Sequence, residues 1–295
     1  MLFAHLESFV EVARRGNVSR AAEALFLTQP AITARLKSLE KDLGVELFVR
    51  TGRGMKLSDA GRAFLPYAER AVSTVDEGRQ LVANLQEGNV GALVIAAAPA
   101  VSTYVLPGIL RVFRTTHPHV RLGVRTGHTE EVLEMVLRGE VHIGIGRPIR
   151  HPDVELIPVL EDEMLLVVSA RHPFATRGKV RMDELAAERL ILFDRTSSYH
   201  ELTSNLFRQA GVVPASTLEL DNVEAAKKMV QQGLGVALLP RMALAAELKA
   251  RSLRPVKLIG TAPVLRPIVA LRRRDAGEPI GPVAGFLETL EEVLG

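Results

Sequence analysis

The residues best suited to chemistry on a partner lie along one face of a predicted helix near the N-terminus. Pro30, Thr33, Ala34, Lys37 and Lys41 share that face at about 100° per residue, opposite an apolar face. A small, polar and basic surface can enter the major groove of DNA, where threonine hydrogen-bonds to a base edge and lysines neutralise phosphates. The pattern predicts DNA recognition; a solvated helix face is the alternative.

Further candidate DNA contacts flank this helix. Gln29, at its start, is of a type that pairs with adenine. Arg50 and Arg53 lie in a glycine-rich hairpin tip, where a wing would reach the DNA backbone or the minor groove. Residues 29–56 contain six Lys/Arg and three Asp/Glu, whereas the whole chain has 37 against 34 and a formal net charge of +3. The total charge is too small to indicate nucleic acid, so the prediction rests on where the charges lie.

A second group of polar residues follows predicted strands in the C-terminal part of the chain. They are Pro99, Ala100, Val101, Ser102 and Thr103 in one loop, His128 and Thr129 in a second, Arg195, Thr196, Ser197 and Ser198 in a third, and Arg147 after a fourth strand. Open α/β sheets bind ligands where such loops enter helices, because the backbone N–H groups there are unpaired. Hydroxyls, N–H groups and arginines together suit an anion, most simply a carboxylate. For each Ser or Thr taken alone, helix capping is an equally good interpretation.

Several kinds of chemistry find no support in the sequence. The absence of cysteine excludes disulfides, thiolate metal sites and a cysteine nucleophile. No nucleophile elbow, phosphate-binding loop or zinc-protease motif is present, so we expect neither a catalytic nor a metal site. The acidic residues 161–163 are predicted to form a solvated turn, and the arginines at 272–274 a solvent-facing strand edge.

Short helices and a hairpin must position the DNA-facing residues. A first helix covers residues 2–15, Ser19 is a candidate N-cap for a second over residues 20–26, and Thr28 for a third that Gly44 ends. Strands 45–49 and 55–57 flank the hairpin tip. Ser58 is a candidate cap for a fourth helix that runs to about residue 87.

The fourth helix carries a regular stripe of apolar or small residues. Intervals of four and three alternate along it, which is the seam of a coiled coil. The stripe consists of Phe64, Ala68, Ala71, Val75, Gly78, Val82 and Leu85. A second copy of the helix would cover this stripe, so we predict a dimerisation helix. The alternative is a helix packed on its own domain.

Beyond a glycine-containing hinge at residues 86–91, strands alternate with helices. A helix is predicted over residues 103–116, strands at 155–160 and 164–170, and a late strand at 264–271. Two strand–helix series joined by crossover strands predict two α/β lobes with a cleft between them, lobe I at about 91–161 and 266–295 and lobe II at about 162–265. No membrane span or secretory signal is recognisable, which leads us to expect a cytoplasmic protein.

One segment of the N-terminal part carries a specific family motif. Its elements are Phe9-Val10-Glu11-Val12-Ala13, Ser19-Arg20-Ala21-Ala22-Glu23-Ala24-Leu25, Thr28-Gln29-Pro30-Ala31-Ile32-Thr33, Leu43-Gly44-Val45-Glu46-Leu47-Phe48-Val49-Arg50 and Leu57-Ser58-Asp59-Ala60-Gly61. The segment resembles the winged helix-turn-helix of the LysR-type transcriptional regulators, and the layout is similar over essentially the whole chain. The resemblance implies a DNA-binding domain at 1–58, a linker helix at 59–87 and an effector-binding domain of periplasmic-binding-protein type at 88–295.

The resemblance also implies partners. They are double-stranded DNA with an interrupted palindromic operator, a second copy in a dimer and then a homotetramer, RNA polymerase, and a small-molecule co-inducer instead of a cofactor. Many relatives carry arginine at the position of Ala34, whereas this chain has Arg35 on the helix flank, which implies a phosphate contact and a weaker or different base readout. Many have Ser or Thr at the position of Ala100, so neighbouring hydroxyls would supply that contact here.

We therefore predict a ligand-responsive transcription factor. In it, the effector shifts the population between arrangements of the lobes and changes the bend of the bound DNA. A transport solute-binding protein and an α/β enzyme with a helical appendage are the alternatives. Specific, salt-sensitive binding to DNA upstream of the chain's own gene fits only the first.

Overall fold

The computed structural model describes residues 2–51, 54–86, 91–195 and 197–294, but not the side chains of residues 50, 51, 54, 77 and 80–86. The helices are α1 Phe3–Arg15, α2 Val18–Ala24, α3 Gln29–Leu43, α4 Asp59–Gln86, α5 Pro99–Tyr104, α6 Leu106–Thr116, α7 Thr129–Leu137, α8 Pro173–Arg177, α9 Met182–Ala186, α10 Ser198–Gln209, α11 Val223–Gln231, α12 Ala245–Lys249 and α13 Gly281–Leu294. The strands are β1 Phe48–Thr51, β2 Gly54–Leu57, β3 Ala92–Ala97, β4 Arg121–Thr126, β5 Ile143–Gly146, β6 Val154–Ser169, β7 Lys179–Arg181, β8 Arg189–Phe193, β9 Ser216–Leu220, β10 Val236–Pro240, β11 Leu253–Ile259 and β12 Val264–Arg273.

The first three helices form a small core with the hairpin. Phe9, Ile32 and Leu39 are fully buried between α1 and α3. Thr28 caps α3, and Gly44 ends it with φ of 71°, both as predicted. The predicted cap of α2 is wrong, because the Asn17 side chain accepts hydrogen bonds from two backbone N–H groups and starts the helix at Val18. The strands β1 and β2 pair antiparallel, which makes this part a winged helix-turn-helix.

The long helix α4 is covered over its first half by its own domain. Phe64, Ala68 and Ala71, three residues of the predicted seam, pack against the core that α1 and α3 build. For these three residues the alternative interpretation of the stripe holds, because α1 runs beside α4 as far as Arg79, whose guanidinium lies over the Phe3 ring. Val75 is 40% exposed. The side chains of Val82 and Leu85 lie outside the described residues.

The same helix contacts the C-terminal domain. Ser73 Oγ donates a hydrogen bond of 2.9 Å to the carbonyl oxygen of Gly139, at the end of α7. The buried Glu69 carboxylate lies 3.4 Å from the Arg14 guanidinium of α1 and 3.7 Å from the Arg138 guanidinium after α7. One side of α4 therefore joins the N-terminal winged helix-turn-helix to the first lobe. Most of the predicted hinge at 86–91 lies outside the described residues.

A continuous mixed sheet runs through both lobes in the order β4-β3-β5-β12-β6-β10-β8-β9. The strand β3 is parallel to β4 and β5, and β8 is parallel to β9 and β10, as expected from strand–helix alternation. The two series are joined through β6 and β12, which pair antiparallel with each other.

The structure corrects the prediction around the first crossover. The two strands predicted at 155–160 and 164–170 are one sixteen-residue strand, β6. The acidic residues 161–163 lie inside this strand instead of in a solvated turn, and Asp162 is buried. The reason is pairing: β12 lies opposite the first part of β6, and β10 and β11 lie opposite the second part, so both parts are held in one extended strand.

Each lobe has its own hydrophobic core, and β6 passes from the core of lobe I to the core of lobe II. In lobe I, Leu93 and Ile95 face a core with α6 and α13, while Ala96 faces a second core beneath α7, as strand periodicity requires. In lobe II, β8 and β10 are buried between α10 and α11. Along β6, Leu160 belongs to the first lobe and Met164 to the second.

Two further predictions are corrected. The helix expected at 103–116 begins at Pro99 and is divided at Val105, so the first predicted ligand loop is the helix α5. Arg272, expected at a solvent-facing edge, is buried and bonds to the Glu155 carboxylate at 2.6 Å. No helix in the described part of the chain has the length and hydropathy that spanning a membrane requires.

Two helical glycines offer a test of this packing. A Cβ on Gly61 of α4 would lie 2.1 Å from the carbonyl oxygen of Leu47, whereas a Cβ on Gly108 of α6 would meet no heavy atom within 4 Å. We expect Gly61→Ala to lower the free energy of unfolding by about 1–3 kcal/mol, and Gly108→Ala to raise it by about 0.5–1 kcal/mol, in urea denaturation. Equal effects of the two substitutions would contradict the close approach of α4 to the wing.

Candidate nucleic-acid interface and ligand cleft

The exposed face of α3 presents a shallow groove. Its lining consists of Gln29, Pro30, Thr33, Ala34 and Lys37. Leu36 and Leu39 hold the opposite face in the core, so the periodicity of the helix fixes which residues point outwards. These five residues are all among the predicted DNA contacts. Lys41 is exposed in the last turn, outside this groove.

Hydrogen bonds within the chain orient the polar residues of the groove. Thr33 Oγ1 donates to the Gln29 carbonyl oxygen at 2.9 Å, and the Gln29 side-chain amide donates to Ser19 Oγ. A threonine hydroxyl that donates to a carbonyl keeps its acceptor lone pairs, which suits it to accept from an exocyclic amino group of a base. The first turn of α3 thus presents a preformed polar edge.

The remaining predicted DNA contacts lie elsewhere. Arg35 is half-buried on the flank of α3, and its guanidinium donates to Ser8 Oγ of α1 at 3.4 Å, so it faces the neighbouring helix. The Arg50 side chain and Arg53 lie outside the described residues. The base of the wing is fixed, because Glu40 Oε1 of α3 accepts hydrogen bonds from the Leu47 and Phe48 N–H groups.

A cleft lies between the two lobes, where helices from both begin. Together with the open space at its mouth, it measures about 720 Å³. The sequence-predicted residues that line it are Pro99, Ala100, Thr103, His128, Thr129, Arg147, Ser197 and Ser198. Four separate stretches of the chain, predicted independently, therefore meet at one place.

Other predicted cleft residues do not line it. Val101 is buried in the lobe I core, and Ser102 Oγ is 2.8 Å from Thr126 Oγ1. Both follow from the helical form of residues 99–104, which turns successive side chains in different directions. Arg195 is exposed and does not line the cavity. Thr196 lies outside the described residues.

A buried arginine, Arg266, also lines the cleft, and the sequence analysis did not predict it. It lies on the crossover strand β12 and is 3% exposed. Its guanidinium donates to Tyr199 Oη at 3.1 Å and Ser198 Oγ at 3.3 Å, and it lies 4.5 Å from the Tyr199 ring centroid. Its Nε has no hydrogen-bond partner among the described residues. The only sequence signal was an arginine inside the otherwise apolar strand 264–271.

Asp162 lies opposite Arg266 on the neighbouring crossover strand. Its Oδ1 accepts from the Met242 N–H at 3.1 Å, while Oδ2 is buried without a partner in the described structure. Burial raises the pKa of Asp162 above its ordinary value, against the opposing pull of the Met242 hydrogen bond and the Arg266 charge. The two crossover strands therefore carry buried groups of opposite charge that form no ion pair with each other, and the hydrogen bonding of both groups is incomplete.

The lining of the cleft also carries three carboxylates. Glu130 comes from the first turn of α7 in lobe I, and Asp221 and Glu224 come from the start of α11 in lobe II. Glu224 accepts from Lys227 Nζ at 2.7 Å and from the Tyr104 hydroxyl, and these bonds lower its pKa. Burial, followed by the bond to Glu224, raises the pKa of Tyr104. Arg147 is bound to Glu130.

No grouping of three or more metal-ligating side chains occurs within the described ranges. The polar groups of the cleft are instead hydroxyls, guanidiniums and carboxylates on fixed elements of two lobes. Such a set can bind and orient a small polar molecule by hydrogen bonds and charge.

Similar proteins are found for both parts of the chain. Residues 3–62 match the family described as "Bacterial regulatory helix-turn-helix protein, lysR family", and residues 86–295 match the "LysR substrate binding domain". A "Probable RuBisCO transcriptional regulator" of Cyanidioschyzon merolae (strain NIES-3377 / 10D) is 32% identical over 86% of each chain. The "Uncharacterized HTH-type transcriptional regulator YusT" of Bacillus subtilis (strain 168) is 34% identical over 80% of this chain and 78% of that one. The solved structure of full-length CbnR complexed with target DNA aligns over 99% of each chain, with TM-score 0.68 and 28% identity.

Proposed function

The chain belongs to the LysR family of transcriptional regulators, and from this premise we propose that a small carboxylate bound between its two lobes controls how it binds its operator. The observation that carries the proposal is Arg266, a buried guanidinium on the cleft wall beside the hydroxyl of Ser198. A guanidinium beside hydroxyl donors matches the two oxygens of a carboxylate.

At the DNA end, α3 enters the major groove. Gln29 and Thr33 face base edges, Lys37 faces a phosphate, and Arg50 and Arg53 of the wing contact the backbone or minor groove. The support is the groove on α3, where the first three of these lie on one exposed face with Pro30 and Ala34. CbnR, similar to this chain over almost its whole length, has been solved with its target DNA.

The assembly we propose is a dimer through α4 that pairs further into a tetramer through the C-terminal domains. Two recognition helices of a dimer then reach successive major grooves, which matches an interrupted palindromic operator. Because Phe64, Ala68 and Ala71 are occupied within the chain, the seam for the partner helix lies in the second half of α4, from Val75 onwards. RNA polymerase is the further partner that we propose for activation of transcription.

Ligand control follows from the placement of the cleft. A ligand that binds both lobes favours one arrangement of them over others, and the equilibrium shifts by its differential affinity. Lobe I contacts α4 where Gly139 accepts a hydrogen bond from Ser73 and where Arg138 lies near Glu69. A change in lobe geometry is thereby passed to the linker and to the spacing of the recognition helices.

Lys37 provides the test at the DNA end. We expect Lys37→Ala to weaken operator binding and to reduce the slope of log affinity against log salt by about one for each recognition helix, because one phosphate contact is lost. Lys249→Ala is the matched control, since it removes the same charge from lobe II. Gel-shift titrations at several salt concentrations measure both. Equal losses in the two variants would mean that Lys37 acts only through net charge.

Val75 provides the test of the linker. We expect Val75→Asp to raise the dissociation constant of the assembly at least about tenfold, because an unpaired carboxylate would be buried against the partner helix. Val213→Asp, at a position that is 85% exposed on lobe II, controls for the added charge. Sedimentation velocity reports the result; a Val75→Asp protein that sediments like the wild type rules out this seam.

A carboxylate panel tests the effector proposal. A ligand that binds only the native state at one hundred times its dissociation constant stabilises it by about 2.7 kcal/mol. We expect at least one small carboxylate both to raise the melting temperature and to change operator affinity in the gel-shift assay. A panel in which no anion does either would remove the basis for an anionic effector.

A further inference from the structure

The charges that line the cleft do not suit a simple anion. Three carboxylates, on Glu130, Asp221 and Glu224, face two guanidiniums, on Arg147 and Arg266. The lining therefore has an excess of one negative charge with its acids ionised. Asp162, the cross-strand neighbour of Arg266, adds a further negative charge when it is ionised. A ligand with a carboxylate alone would be attracted by the guanidiniums of this lining and repelled by its carboxylates.

Most of these charges are already paired. Arg147 is bound to Glu130. Lys227 Nζ is shared between Glu224 at 2.7 Å and Glu247 at 2.9 Å, and its side chain is 5% exposed, so Lys227 is committed to the protein. The hydrogen bonds from Lys227 and Tyr104 hold the pKa of Glu224 below its ordinary value, which keeps that carboxylate ionised at the cleft wall.

Two groups of the cleft lining stand out from this pairing. Arg266 is nine-tenths buried or more, has no carboxylate within ion-pair distance among the described residues, and leaves its Nε without a hydrogen-bond partner. Asp221 is exposed at the cleft and makes no ion pair within the described parts of the chain. Burying an unpaired guanidinium is costly, and an anion that enters the cleft would offset that cost.

We propose that the effector is a small amino acid, bound as a zwitterion within the cleft. Its carboxylate accepts hydrogen bonds from Arg266 and Ser198. Its ammonium group faces the acidic wall formed by Asp221 and Glu224. This inference rests on the proposed function, since it names the chemical class of the ligand for the same cleft.

The zwitterion satisfies both walls at once. Its carboxylate supplies the charge that Arg266 lacks, and its ammonium group offsets the excess negative charge opposite. A ligand that carries both charges engages the crossover strand and the acidic residues of lobe II together, whereas a ligand with one charge engages only one of them. Recognition of this kind also rejects analogues that lack either group, because the polar group left without its partner costs free energy.

The experiment uses the full-length protein and matched ligands. The standard L-amino acids and short ω-amino acids are screened by thermal shift and by their effect on operator affinity. For each amino acid that acts, the 2-hydroxy or des-amino acid and the amine of the same carbon skeleton are titrated beside it. We expect both analogues to bind at least about tenfold more weakly than the amino acid.

Substitutions assign the two walls. We expect Asp221→Asn and Glu224→Gln to lower the ratio of the affinity for the amino acid to the affinity for its hydroxy analogue. We expect Arg266→Lys to lower the affinity for every carboxylate-bearing ligand at least about tenfold. Glu219→Gln, which removes an exposed charge from the neighbouring strand β9, should leave the preference unchanged. Circular dichroism of each variant checks that it is folded.

The outcomes separate the two proposals. Plain carboxylates or hydroxy acids that bind as well as the amino acids would overturn the zwitterion while leaving a carboxylate effector in place. A preference for the amino acid that survives in both acidic-wall variants would also overturn it. If neither carboxylates nor amino acids stabilise the protein or change operator binding, the proposed function fails, and the zwitterion fails with it.

Discussion

The antiparallel pairing of β6 with β12 is the constraint on which the rest of the sensor depends. The two strands pass together from one lobe to the other, with Arg266 opposite Asp162 at the crossing. Each lobe has its own core on either side of this crossing, so the lobes are packed separately and joined by backbone hydrogen bonds. A cleft must form where two such cores end on a shared pair of strands. The same crossing sets a guanidinium into its wall.

The second connection is the helix α4, which belongs to two parts of the molecule at once. Its first turns complete the core of the DNA-binding head, and Gly61 allows close approach to the wing. About two turns after Gly61, Glu69 lies between Arg14 of the N-terminal domain and Arg138 of lobe I. These long ion pairs are individually weak, since both arginines are half-exposed. Their position still matters, because they and the Ser73 hydrogen bond connect lobe I to α4 and the N-terminal domain.

Some features of the chain could be predicted because their signals are local. The apolar face of α3, its threonine cap and the Gly44 terminus all lie within one helix, and the exposed groove follows from helical periodicity alone. Runs of apolar residues likewise predict the strands of lobe I. The errors occurred where partners are distant in sequence. The residues 161–163 are polar and adjacent, which is typical of a turn, but pairing with β12 on one side holds them in a strand. Arg272 is buried for the same kind of reason, because Glu155 lies opposite it.

The sequence by itself determined the family motif, the exposed face of α3, and the four stretches that meet at the cleft, since periodicity, caps and strand–helix alternation are properties of short segments. Tertiary structure decided what those segments enclose. It covered three of the seven residues of the predicted seam within the N-terminal domain, brought Tyr104, Asp221 and Glu224 to the cleft, and turned Val101 and Ser102 away from it. Above all it set Arg266 among hydroxyls, because whether a charged side chain on a strand faces water, a core or a cavity depends on elements that its own sequence neighbours do not specify.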